Sequence, residues 1–103
     1  MSSALSKEAP NPGLEVFELE FYEDRLKEFE SLKQHMLDSE YENIRKLAHK
    51  WKGFCGPYGF KQLEVLSQRL EISSQNKDSA EIKTILQEMS NYLDEKGRIL
   101  GKT

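Results

Sequence analysis

Residues 44–63, "IRKLAHKWKGFCGPYGFKQL", decide the fold because they contain the end of one helix and the start of another. Apolar residues recur there at helical steps of three or four: Ile44, Leu47, Ala48, Trp51 and Cys55. Gly56 and Pro57 follow, and glycine often ends a helix whereas proline is favoured at the first position of the next one. The stretch therefore predicts two helices joined by a tight junction.

Similar apolar stripes before and after this junction predict one further helix on each side, which makes four helices in all. They also show the apolar face of the helix that follows the junction, the third in chain order. The first helix has the stripe Leu19, Tyr22, Leu26, Phe29, Leu32 and Met36. The third has Phe60, Leu63, Leu66 and Leu70, and the fourth has Ile82, Ile85, Leu86, Met89 and Leu93. Short connections make consecutive helices neighbours, so the pattern predicts an all-α fold, an antiparallel up-down four-helix bundle.

Polar residues mark the expected helix ends. Asp38 and Ser39 are candidate N-cap residues for the second helix, and Glu42 follows Ser39 by three positions, as in a capping box. The segment "SSQNK" at residues 73–77 reads as a loop, after which Asp78 should open the last helix. Gly97 is the expected end of that helix.

The chain of 103 residues is long enough for one domain with a single core. Residues 1–12, "MSSALSKEAPNP", lack apolar periodicity and are interpreted as a flexible N-terminal leader, which leaves residues 13–103 as the four-helix domain. Met1 and this leader favour a free-standing protein over a piece of a larger kinase.

Composition excludes several classes of function. The net charge of −3 and the pI of about 5.4 argue against general nucleic-acid binding, which needs a broad cationic surface. No apolar run reaches 18 residues, so no membrane span is expected. Cys55 is the only cysteine; it cannot form an intrachain disulfide and is interpreted as a small buried residue. These features predict a soluble protein of the reducing cytoplasm.

His49 points away from the core of its helix. At about 100° per residue, His49 lies roughly 160° from the centre of the apolar stripe, so it should face water. Its neighbours three and four positions away are Arg45, Lys46, Lys52 and Gly53.

This arrangement suits phosphoryl chemistry. Neutral imidazole is a nucleophile, nearby cations disfavour its protonated form, and the same cations can balance phosphoryl oxygens. A glycine inside a helix costs roughly 0.5–1 kcal/mol relative to alanine, and cleared space beside His49 would explain Gly53. The alternative is a solvated charged face without chemistry.

Read as a whole, residues 47–63, "LAHKWKGFCGPYGFKQL", resemble the histidine-containing phosphotransfer (HPt) family. The family pattern is a histidine, any residue, a hydrophobic residue, lysine and glycine, with a glycine ten positions after the histidine and a leucine four further on. Here the matching residues are His49, Trp51, Lys52, Gly53, Gly59 and Leu63. Trp51 replaces the more usual aliphatic residue and is interpreted as a core anchor.

The resemblance implies a phosphocarrier of a phosphorelay. His49 would accept a phosphoryl group from a receiver-domain aspartate and pass it to another, Lys52 would support that group, and Gly53 would permit close docking. The supporting or docking surface would comprise Arg45, Lys46, Lys50 and Gly59. The partners would be receiver domains of hybrid sensor kinases or response regulators, and Mg²⁺ would belong to the partner. No cofactor is expected on this chain, which lacks kinase and ATPase motifs. A monomer is expected because each helix has one apolar stripe.

Two other functions remain open at this point. A helical docking module could bind receivers or another helical partner through the same surface without chemistry. A nucleic-acid binder using Arg45, Lys46, Lys50 and Lys52 is disfavoured by the acidic balance. A metal site joining His35 and His49 is rejected, because no cysteine or acidic cluster accompanies either residue.

Overall fold

The computed structural model describes residues 7–101, and the regular structure within them is entirely helical. After a short 3-10 turn at Glu15–Phe17, the helices are α1 (Glu18–Leu37), α2 (Tyr41–Phe54), α3 (Lys61–Gln75) and α4 (Ser79–Ile99). Helix α1 packs against α2 and α4, and α3 packs against the same two helices. The expected all-α fold with four packed helices is confirmed.

The apolar stripes expected for α2, α3 and α4 form the core. Every residue of the stripes in α3 and α4 is buried, and in α2 only Leu47 keeps partial exposure. Trp51 and Phe60 are the largest side chains without solvent exposure. Burial of a large apolar side chain contributes roughly 1.5–3 kcal/mol, so these three stripes supply most of the hydrophobic stabilisation.

The stripe expected for α1 is partly wrong. Leu19 and Leu26 are 43% and 37% exposed, whereas Phe21 and Arg25 are buried. The Arg25 guanidinium lies 4.2 Å from the ring centroid of Phe21 and 5.0 Å from that of Phe54. Cation–π contacts of this kind make an arginine compatible with the core side of a helix, which periodicity alone does not predict.

The capping box expected at the start of α2 is also wrong. Helix α2 begins at Tyr41, and no side chain caps its N-terminus. Ser39 adopts a left-handed conformation with φ of 55° within the three-residue connection between α1 and α2. Glu42 accepts hydrogen bonds from Arg45 instead of reaching back to the cap.

Only one of the two predicted ends of α4 agrees with the structure. Asp78 is the N-cap, and its side chain accepts a hydrogen bond from the Glu81 backbone N–H, as expected. The helix continues past Gly97 to Ile99, so the expected end at Gly97 is wrong. A Cβ at Gly97 would overlap the Tyr22 hydroxyl of α1. The close packing of α1 against α4 therefore explains why a glycine lies inside α4.

The junction between α2 and α3 is a six-residue turn from 55 to 60. Pro57 lies inside this turn, and α3 begins at Lys61, so the expectation that Pro57 opens the third helix is wrong. Gly59 has φ of +90°, and a Cβ there would lie 2.7 Å from the backbone nitrogen of Pro10. Both the backbone conformation and the close approach require glycine at this position.

Part of the segment interpreted as a leader is in contact with the helices. The Glu8 side chain is 5% exposed, and its Oε1 accepts hydrogen bonds from Lys96 Nζ at 2.8 Å and from the Tyr92 hydroxyl at 2.7 Å. Its Oε2 accepts from the backbone N–H of Gln62, in the first turn of α3, at 2.9 Å. The first six residues of the chain lie outside the described residues. The structure thus places Glu8 and its neighbours against the domain.

Candidate functional site

His49 lies on the solvent side of α2. Its side chain is 63% exposed, whereas Ala48 and Trp51 on the same helix have no exposure. The expected orientation of His49 is confirmed. An exposed imidazole on a rigid helix is accessible to a macromolecular partner, which is the first requirement for chemistry between two proteins.

Glu71 of α3 links His49 to Lys52. Its Oε2 lies 2.8 Å from His49 Nδ1, and its Oε1 lies 2.9 Å from Lys52 Nζ. The Glu71 side chain is only 12% exposed, so its position is fixed by packing as well as by these two contacts. A single carboxylate therefore holds both residues that the HxxKG spacing brings to one face of α2.

The charge on Glu71 determines which nitrogen carries the proton in the neutral imidazole. The hydrogen bond from Lys52 is the main cause that lowers the pKa of Glu71; burial opposes it, and His49 adds to the lowering. The carboxylate is thus ionised near neutral pH and can only accept a hydrogen bond. In the neutral imidazole the proton must then lie on Nδ1, which leaves the lone pair on Nε2. Within residues 7–101 no group is bonded to Nε2.

Gly53 leaves open space on the same face. It is exposed one helical turn after His49, and a Cβ built on it would meet no neighbouring heavy atom within 4 Å in the described chain. The fold therefore does not require glycine here through packing. The space is available to a partner that approaches the ring.

Arg45 lies one turn before His49 and is held by a neighbour. Its Nε and Nη2 donate to the two carboxylate oxygens of Glu42 at 3.0 and 2.6 Å. This bidentate pair raises the pKa of Arg45 above its ordinary value, so the guanidinium keeps its charge. Glu42 balances the charge of Arg45, so the two side chains together form a nearly neutral pair close to the His49 face.

Lys46 and Lys50 line a different part of the surface. Both border an open depression of about 490 Å³ between α1 and α2. Lys50 Nζ donates to Glu28 of α1, whose other oxygen accepts from Trp51 Nε1 at 2.6 Å. Burial alone would raise the pKa of Glu28, but the hydrogen bonds from Lys50 and Trp51 hold it below its ordinary value. Lys50 is thereby directed towards α1 and not towards Glu71.

Gly59, Trp51 and Cys55 lie apart from the exposed imidazole of His49. The Gly59 carbonyl accepts a hydrogen bond from Lys96 Nζ at 2.8 Å, beside residues 9–10. Trp51 and Cys55 are fully buried, as expected. Burial raises the pKa of the Cys55 thiol to about 12, so this thiol is unreactive at neutral pH.

The second histidine has its own partner. His35 Nδ1 lies 2.7 Å from Glu40 Oε1, at the turn between α1 and α2. Among the described residues no three His, Cys, Asp or Glu side chains form a group that could hold a metal ion. None of the helices in the described part of the chain is both long and apolar enough to cross a membrane.

Glu71 is the site residue that sequence reasoning missed. It follows Ser67 by four positions and Leu63 by eight, and both of these are buried. Helical periodicity therefore placed a carboxylate at the edge of the α3 stripe, where a charged group needs a partner. That conflict between charge and expected burial was the available signal.

Comparisons with protein-family models, with curated proteins and with solved structures found no match for this chain.

The tautomer of His49 provides a direct check on this geometry. In the wild type, nitrogen NMR of the neutral ring should find the proton on Nδ1. Glu71→Ala removes the acceptor, so the population of that tautomer should fall. Glu40→Ala, which removes the corresponding acceptor of His35, should leave the His49 signals unchanged. Identical His49 tautomers in wild type and Glu71→Ala would contradict the assigned role of Glu71.

Proposed function

We propose that this chain is a histidine phosphotransfer protein of the HPt type, a phosphocarrier between receiver domains. One observation carries the proposal: an exposed His49 whose Nδ1 is held by an ionised carboxylate, which leaves Nε2 as an accessible nucleophile. The HxxKG spacing and the resemblance to the HPt family support it. The chemistry requires neither a nucleotide nor a metal on this chain.

The transfer step follows from the lone pair on Nε2. It attacks the phosphorus of an aspartyl phosphate on a receiver domain, and a nitrogen–phosphorus bond forms. The bond between phosphorus and the aspartyl oxygen breaks, and the carboxylate leaves with the electron pair. Glu71 stabilises the positive charge that develops on the ring. Delivery to a second receiver is the same step in reverse, with Mg²⁺ supplied by that receiver.

Cations around the ring favour this partner. Lys52 and Arg45 lie on the His49 side of α2, on a chain whose net charge is −3. Each of these cations is paired with a glutamate, Lys52 with Glu71 and Arg45 with Glu42. An anionic group of a partner would compete with those glutamates for the two cations, and this attraction orients the chain towards an acidic pocket. The phospho-acceptor pocket expected for a receiver is acidic. We include Lys46 and Lys50 in the wider docking surface. Gly59 is buried against residues 9–10, so its proposed contribution is to the junction between α2 and α3.

We also propose the up-down antiparallel topology for the four helices. The connections between them are short, at residues 38–40, 55–60 and 76–78. Short connections favour antiparallel neighbours, and the helix contacts α1–α2, α2–α3, α3–α4 and α1–α4 are those of such a bundle. We expect the protein to act as a cytoplasmic monomer.

The test of this function is transfer from a phosphorylated receiver domain. A panel of receivers is phosphorylated with a labelled phosphoryl group, each is mixed with the chain, and the label is followed by electrophoresis. We expect acid-labile, base-stable label on the chain with at least one receiver. Binding to receivers without transfer would favour the alternative, a non-catalytic docking module. Capture of nucleic acid in preference to receivers would contradict both.

Gly53 allows a prediction in which fold and function diverge. Gly53→Ala should raise the free energy of unfolding by roughly 0.5–1 kcal/mol, because glycine is a poor helix former and a Cβ meets no obstacle there. Gly53→Gln should also fold, yet transfer should fall as the side chain grows, since it occupies the approach to His49. Chemical denaturation and transfer rates on the same variants measure the two effects.

The matched position for this series is Gly97, where a Cβ would overlap Tyr22. Gly97→Ala should lower stability, so the two alanine variants should shift stability in opposite directions. Normal transfer by a folded Gly53→Gln variant would show that the space beside His49 is not used by a partner.

A further inference from the structure

The shared carboxylate of Glu71 has a consequence for the phosphorylated form. His49 Nδ1 and Lys52 Nζ contact different oxygens of this one group, at 2.8 and 2.9 Å. Lys52 is therefore on the same side of the ring as Glu71 before any phosphoryl group arrives. Its side chain is 37% exposed, so the ammonium can turn on its flexible stem.

A phosphoryl group on Nε2 would create a second anion on the face of α2 that also carries Lys52, three positions after His49. It carries up to two negative charges and three acceptor oxygens, so it attracts an ammonium more strongly than a carboxylate does. Glu71 would keep its hydrogen bond from the Nδ1–H, because that nitrogen is not the one that is phosphorylated. The lysine and the imidazole would then have different partners.

We propose that Lys52 moves from Glu71 to the phosphoryl group when His49 is phosphorylated, so that Glu71 competes with the phosphohistidine for one lysine. This inference rests on the proposed function and adds a regulatory element to it. The competition shortens the lifetime of the phosphohistidine. Lys52 must break its ion pair with Glu71 before it contacts the phosphoryl group, so its net stabilisation of that group is smaller. An amide at position 71 would still accept the hydrogen bond from His49 but would hold Lys52 only weakly.

A double-mutant cycle on phosphohistidine lifetime tests the exchange without any receiver. Phosphoramidate is the phosphoryl donor: Nε2 attacks its phosphorus, its nitrogen–phosphorus bond breaks and ammonia leaves. The phosphoryl group transferred from phosphoramidate is labelled. The rate at which His49 loses this label is then measured in wild type, Glu71→Gln, Lys52→Gln and the double variant. Glu30→Gln, which removes one charge from an exposed pair with Lys33, is the control.

We expect Glu71→Gln to lengthen the lifetime by about two- to fivefold, the range of one partly exposed ion pair. The same substitution should have less effect in the Lys52→Gln background, and Glu30→Gln should have none. Equal effects of Glu71→Gln in both backgrounds would overturn the exchange, since Glu71 would then act through the ring alone. No label on His49 after treatment with phosphoramidate would also overturn it.

The outcomes separate this inference from the proposed function. Coupling between positions 52 and 71 in chemically phosphorylated protein, together with no transfer from any receiver, would support the exchange and contradict the relay function. Transfer from receivers, together with additive effects of the substitutions at positions 52 and 71 on phosphohistidine lifetime, would support the relay function and contradict the exchange.

Discussion

Replacement of His49 by glutamine should reduce phosphoryl transfer by a factor on the order of 10³ or more, because it removes the nucleophile itself. The amide of glutamine is similar in length and polarity but has no nucleophilic nitrogen. His49 is mostly exposed, so the variant should keep its fold. Initial rates of label transfer from a receiver that phosphorylates the wild type measure the loss.

His35→Gln is the matched control for this prediction. Both histidines are at least partly exposed and have Nδ1 in contact with a glutamate. Only His49 has the lysine and glycine that follow it at three and four positions. The control should transfer at the wild-type rate. If the two variants transfer equally well, the assignment of His49 as phosphoacceptor is wrong.

Replacement of Glu8 by alanine should lower the free energy of unfolding by about 3–5 kcal/mol, the usual cost of removing one partner of a buried ion pair. The Lys96 and Glu8 side chains are 1% and 5% exposed. Lys96 would lose its ion pair and keep the Gly59 carbonyl and the contact with the Phe60 ring. This loss is a large fraction of the total stability of a small domain, which is about 5–15 kcal/mol. Urea denaturation of both proteins measures the difference.

Two further variants make this prediction specific. Glu30→Ala removes a carboxylate from an exposed ion pair and should cost less than about 1 kcal/mol. The double variant Glu8→Leu with Lys96→Met removes both buried charges and should recover much of the lost stability. A loss below about 1 kcal/mol for Glu8→Ala would show that the N-terminal segment contributes little, as the interpretation of a flexible leader supposed.

Local patterns were sufficient to predict most of the residues of α3 and α4 that form the core. In α3 and α4 the core residues follow periodicity, and Asp78 provides a cap that the sequence displays. The exposure of His49 followed from the same geometry, since it lies opposite the stripe of α2. These features depend on residues within one or two turns of each other.

Features that depend on distant residues were not predictable in this way. Arg25 is buried on α1 because the rings of Phe21 and Phe54 cover its guanidinium, and Phe54 belongs to the next helix. Glu71 reaches His49 across 22 positions, and Glu8 reaches Lys96 across 88. A charged residue gives no sign in the sequence of which partner it will find, so these contacts needed the three-dimensional arrangement.

The most direct test of the account is to locate the phosphorus on the ring. The chain, isotope-labelled at its histidine nitrogens, is phosphorylated by a receiver domain, and a phosphorus–nitrogen correlation is recorded by NMR. We predict one bond from phosphorus to Nε2 of His49, with the proton retained on Nδ1. Phosphorus on Nδ1, on His35 or on no histidine of a chain that nevertheless binds the receiver would contradict the proposal.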